Sequence, residues 1–75
     1  MTESIENIHV FKTNIATEAD SHVIRNVLDR HKKIEKWSID INDTDKVLRI
    51  VSCSIHPTEI IELINNNGYQ CHELE

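Results

Sequence analysis

Residues 37–51, Trp37-Ser-Ile-Asp-Ile-Asn-Asp-Thr-Asp-Lys-Val-Leu-Arg-Ile-Val51, decide the fold. Trp37, Ile39 and Ile41 alternate with Ser38 and Asp40, the two-residue period of a strand with one buried face. Asn42, Asp43, Thr44 and Asp45 break the pattern with turn-forming side chains, and Lys46 to Val51 resumes an apolar, β-branched run. This is a β-hairpin at the centre of the chain. On its N-terminal side, Ala19, Val23, Ile24, Val27 and Leu28 recur at helical spacing between Glu18 and His31, with Asp20, Arg25, Asp29 and Arg30 mostly opposite them. On its C-terminal side, Pro57 suits the first position of a second helix, Ile60, Ile61, Leu63 and Ile64 give that helix an apolar face, and Gly68 stops it. Asn65 to Asn67 weaken its last turn. One more strand lies outside each helix: Ile8 to Ile15, where Phe11 and Ile15 are core candidates, and the short Tyr69 to Leu74.

The order is therefore strand, helix, strand, strand, helix, strand. Right-handed crossovers fold the two βα units into one four-stranded antiparallel sheet with both helices on one face, an α/β (α+β) sandwich of the ferredoxin-like type. A chain of 75 residues has room for one domain, expected to span 1–75 with an ordered core over 8–74. With 39% hydrophobic and 28% charged residues, it has the composition of an ordinary globular protein and not of a disordered one. The formal charge of -5 argues against a phosphate-binding surface, because nucleic-acid affinity rests on Lys and Arg. Arg30, Lys32, Lys33 and Lys36 form a local basic patch diluted by Asp29 and Glu35, a solvated helix end or a contact for a protein partner. Met1 to Asn7 lacks a basic and then apolar leader, and nowhere do eighteen apolar residues run together, so no membrane insertion is expected and the cytoplasm is the expected compartment. Cys53 and Cys71 lie too far apart for a compact metal spacing and are expected to be reduced, buried, small apolar side chains.

Several of these residues carry a family resemblance. Ile24 and Leu28 on the first helix, Ile60, Ile61 and Ile64 on the second, the closing Gly68-Tyr69, and the stretches Phe11-Lys-Thr-Asn-Ile15 and Ile34-Glu-Lys-Trp37 resemble a heavy-metal-associated domain. That is the module of copper chaperones and of the cytoplasmic metal-binding tails of metal-transporting ATPases. The likeness runs from Ile8 to Leu74 and points to a bacterial branch of the family. It implies a CxxC motif in the loop after the first strand, and alignment on Ile24 and Leu28 places those two cysteines at Thr17 and Asp20. Two thiolates at a helix start hold a soft ion such as Cu(I), with the helix dipole lowering their pKa. A hydroxyl and a carboxylate are hard oxygen donors and do not share that preference. What the resemblance implies is thus the family fold with a degenerate metal site. Thr17-Glu-Ala-Asp20 has its own structural explanation, a capping box with Thr17 at N-cap and Asp20 at N3, and Glu18 adds negative charge in the first turn.

A replacement metal site is the competing reading. Thr17, Asp20 and His22 are its candidate ligands for zinc or a similar borderline ion, and the topology is expected to bring Cys53, His56 and Tyr69 towards the same loop. Apart from such a weakly held metal ion, no cofactor is expected. Tyr69 is expected to close the core beneath the loop, Trp37 to be core or a partly exposed sheet residue, and His9 and His31 to be solvated. Cys71 and His72 should point to opposite faces of the last strand. No nucleophile elbow, phosphate loop or paired general acid and base is present, so no enzyme activity is expected. The leading expectation is a small non-catalytic binding module that contacts protein; the alternative is a metal-binding protein with altered ligands at the same loop. An amino-acid-sensing domain is disfavoured because Gly68 is the only glycine, and an RNA-recognition domain because stacking aromatics and a basic sheet are missing.

Overall fold

The computed structural model describes residues 8–74. Six elements follow in the expected order: β1 (Ile8–Thr13), α1 (Glu18–Asp29), β2 (Lys36–Asp40), β3 (Val47–Val51), α2 (Pro57–Asn66) and β4 (Cys71–Glu73). The strands form one antiparallel sheet in the order β2-β3-β1-β4, the ferredoxin-like arrangement. β1 stops two residues short of Ile15, and Thr13 is the reason. Its Oγ1 donates to the Lys46 carbonyl (2.6 Å) and accepts the Ile15 N–H (3.2 Å), which bends the chain out of the ladder. α1 likewise ends at Asp29 and not at His31.

The register fixes the two faces of the sheet. Phe11 lies opposite Leu48, Leu48 opposite Ile39, and Ile50 opposite Trp37, so these side chains share the face that the helices cover. Ile24 and Leu28 from α1 and Ile60 and Ile64 from α2 close onto them, in one buried cluster that also takes in Ile15, Ile55 and Cys71. Burying each such side chain is worth roughly 1.5–3 kcal/mol. Ala19 and Val23, read from the sequence as part of the apolar face, are instead exposed, Val23 by 44%. Val23 stands about 100° round the helix from Ile24, and the contact with the sheet is narrower than that. His9 and His31, expected to be solvated, are half-buried.

Strand direction sorts the loops onto two rims. Thr13 at the end of β1 pairs with Cys71 at the start of β4, and its N–H donates to the Asp45 carbonyl just before β3 (3.1 Å). β3 then runs away from that rim until Val51 lies opposite Ile8. Cys53 and His56, which follow Val51, are therefore on the far rim from the Thr17 loop, and of the three residues expected to converge on that loop only Tyr69 reaches it. Cys53 is also exposed where a buried side chain was expected, whereas Cys71 is buried and His72 exposed; both thiols are free.

α2 returns the chain to the near rim. Pro57 occupies its first turn, and Glu59 Oε1 accepts the His56 N–H (3.1 Å) at its start. At its end the Gly68 N–H donates to the Asn65 carbonyl (3.0 Å) and the Tyr69 N–H to the Ile64 carbonyl (3.2 Å), a Schellman turn. Gly68 sits at φ +92°, a left-handed conformation that a side chain would strain. The turn reverses the chain and delivers Tyr69 to the Thr17 loop.

Candidate functional site

Thr17 is extended (φ -122°, ψ 166°), which aims its side chain back over the first turn of α1. Its Oγ1 accepts the Asp20 N–H (3.1 Å), and Asp20 Oδ2 accepts the Thr17 N–H (3.3 Å). The capping box read from the sequence is thus formed. A third group joins it: the Tyr69 hydroxyl donates to Asp20 Oδ1 at 2.8 Å, across 49 positions of sequence. Nearby, Asn14 Oδ1 accepts the Gln70 N–H (2.8 Å), a second tie between the loop and the start of β4.

This geometry sets the electrostatics. The Tyr69 hydroxyl first, and the Thr17 side chain second, hold the Asp20 carboxyl below the usual carboxylate range, against a smaller opposing effect of desolvation. The same hydrogen bond pushes the Tyr69 phenol up, since losing its proton would set two negative charges face to face. Asp20 therefore contributes stability that is present above its unfolded pKa and lost as pH falls through its lowered folded pKa. Tyr69 contributes stability that is present below its unfolded pKa and lost as pH rises through its raised one. Tyr69→Phe is expected to weaken both dependences while keeping the ring in place. Thermal unfolding of the two proteins from neutral pH into strong acid, and again into strong base, checks this: the gap in melting temperature should narrow in each direction. A gap independent of pH would mean that the hydroxyl and the carboxylate are not partners.

The residues expected to form a replacement metal site are placed as follows. Thr17 and Asp20 meet, but each bonds the other, and Asp20 also accepts from Tyr69. His22 is exposed and lines a different region, a cleft of about 290 Å³ that Glu18, Ser21 and Arg25 of α1 make with Ile39 and Ile41. Residues two apart on a helix point about 200° away from each other, so Asp20 and His22 share no face. Among the described residues, no three His, Cys, Asp or Glu side chains group so as to hold a metal ion. The donors that Thr17 and Asp20 offer are hard oxygens already engaged in hydrogen bonds, which does not suit a soft ion.

Two polar contacts lay beyond the sequence reading. Tyr69 is half-buried as expected, but its hydroxyl does more than close the core; an aromatic with a polar tip just past a helix-stopping glycine was the available signal. Trp37 is half-buried too, and its Nε1–H donates to Asp29 Oδ1 (2.8 Å), pinning the C-terminal end of α1 to β2.

No protein-family model matches the chain, and no curated protein matches it in sequence. In three dimensions it is similar to the solution structure of the N-terminal domain of ZntA in the Zn(II)-form. The two superpose with a TM-score of 0.76 at 9% identity, over 91% of this chain and 92% of that one. The likeness shows that the two chains share the ferredoxin-like fold. No helix among the described residues is long and apolar enough to cross a membrane.

Proposed function

We propose that this chain is a non-catalytic binding module that keeps the fold of a metal-binding domain, has lost soft-metal coordination, and acts by contacting another protein. The observation that carries this reading is the commitment of the Thr17 and Asp20 side chains. Where the family likeness implies two thiolates, a hydroxyl and a carboxylate close a helix cap, and Tyr69 holds the second Asp20 oxygen. A metal ion at this loop would have to break those bonds and would find only hard donors, which favours a structural role for the two residues.

The test asks what each role requires of Thr17. If it is a cap, Thr17→Ala lowers stability by roughly 0.5–2 kcal/mol, equally with chelator and with excess Zn(II), and His22→Ala is silent. If zinc is bound at this loop, the loss appears mainly in the zinc-loaded samples, because a ligand specific to the folded state stabilises by mass action. Thermal unfolding of the wild type and both variants in the two conditions separates these outcomes. Native mass spectrometry of the wild type with Cu(I) and Zn(II) is the companion measurement, and stoichiometric retention of either would replace the proposal with metal binding through altered ligands.

A further inference from the structure

The cleft beside His22 has features of its own. Among the described residues β2 is an edge strand with β3 as its one neighbour in the sheet, so one side of its main chain has no strand partner among them. Trp37, Ile39 and Ile41 are only half-buried, while Leu48 and Ile50 on the adjacent strand are fully buried. α1 covers this side: the Trp37–Asp29 hydrogen bond joins its C-terminal end to β2, and Glu18, Ser21, His22 and Arg25 line a cleft of about 290 Å³ with Ile39 and Ile41. Arg25 is exposed and makes no salt bridge or side-chain hydrogen bond among the described residues.

We propose that this cleft takes an extended segment of a partner protein, added to the sheet as a fifth strand beside β2, with an apolar side chain on Ile39 and Ile41 and a neighbouring carboxylate on Arg25. The inference rests on the reading of the chain as a protein-contact module and names the surface and the partner's chemistry. The cleft lies at the small end of sites that enclose a ligand, and it is open to solvent, so it suits one or two side chains of a longer chain better than a whole small molecule. An unpaired strand edge supplies the rest, since main-chain hydrogen bonds give affinity while pockets for alternate side chains give specificity. Charge sets the polarity of the segment. Arg25 and Glu18 stand on one stripe of α1, about 10.5 Å apart along its axis, so the carboxylate belongs at the Arg25 end and not at the Glu18 end.

Selection of a random peptide library against the folded chain, followed by amide-resolved NMR with the enriched peptides, tests this. The enriched sequences should share an apolar residue beside Asp or Glu. Their binding should shift amides in 18–25 and 36–41, and slow hydrogen exchange along β2. Arg25→Glu, a surface change, should weaken binding about tenfold or more, and exchanging the peptide's acidic residue for Lys should restore it. Shifts centred on the Thr17–Tyr69 contact or on the open sheet face around Ile8 and Val51 would overturn this site while leaving protein contact as the function. Binders without an acidic preference, a library without binders, or pairing of two copies through β2 would overturn it as well. Zinc-dependent stability at Thr17, read separately, would instead overturn the function on which it rests.

Discussion

The wild-type chain is expected to retain no Cu(I), and Thr17→Cys combined with Asp20→Cys is expected to retain it stoichiometrically. The two positions already face each other across the first turn of α1, close enough for Thr17 Oγ1 to reach the Asp20 N–H at 3.1 Å. Thiolates there would lie at a helix N-terminus, where the dipole and the free N–H groups favour negative charge and lower a thiol pKa. Glu18 in the same turn works against them by like-charge repulsion, so a weaker site than an optimised one is anticipated. The substitution also removes the capping box and leaves the Tyr69 hydroxyl without its carboxylate, and the metal-free variant should melt below the wild type. Metal should recover part of that loss. Native mass spectrometry with Cu(I) and Zn(II), beside thermal unfolding of the same samples, reads both effects. A double variant that folds and ignores both ions would show that Thr17 and Asp20 do not correspond to the family's cysteine positions.

The second large effect is in the core. Phe11→Ala should cost about 3–5 kcal/mol, out of a total near 4–11 kcal/mol for a chain of this size. Phe11 is fully buried on β1, the strand that pairs with both β3 and β4. Truncation there opens a hole between the sheet and both helices, and so short a chain has little other core to compensate. Val23→Ala is the control: at 44% exposure it should change stability by no more than about 0.5–1 kcal/mol. Urea unfolding of the three proteins makes the comparison. Equal costs for the two variants would contradict the register that sets Phe11 against Leu48.

Much of this architecture is written locally. Phe11, Ile24, Leu28, Ile60 and Ile64 are core because their spacing matches the period of their own element, and each lies in the buried cluster with Ile15, which follows β1. The cap is equally local, since Thr17 and Asp20 are three residues apart. What was misjudged depends on strand direction. An antiparallel partner of β1 must finish where β1 begins, so Cys53 and His56 had to lie away from the Thr17 loop, a consequence of the topology that residue types do not announce. The Tyr69–Asp20 and Trp37–Asp29 bonds are harder still. Each needs a donor and an acceptor from different elements to land within about 3 Å of each other, and no periodicity encodes that.

The unequal burial of the two thiols has a practical consequence. Burial pushes the Cys71 thiol up to about 12, so it holds almost no thiolate at neutral pH and is shielded from reagents, whereas Cys53 is exposed. Because the thiolate is the reacting form, a maleimide dye should attach at Cys53 alone in the folded chain, with no substitution needed. That label would sit on the rim opposite the helix cap, clear of both Thr17 and Tyr69. The native sequence thus carries its own single attachment point for fluorescence, and the unmasking of the second thiol becomes a direct optical count of unfolded molecules.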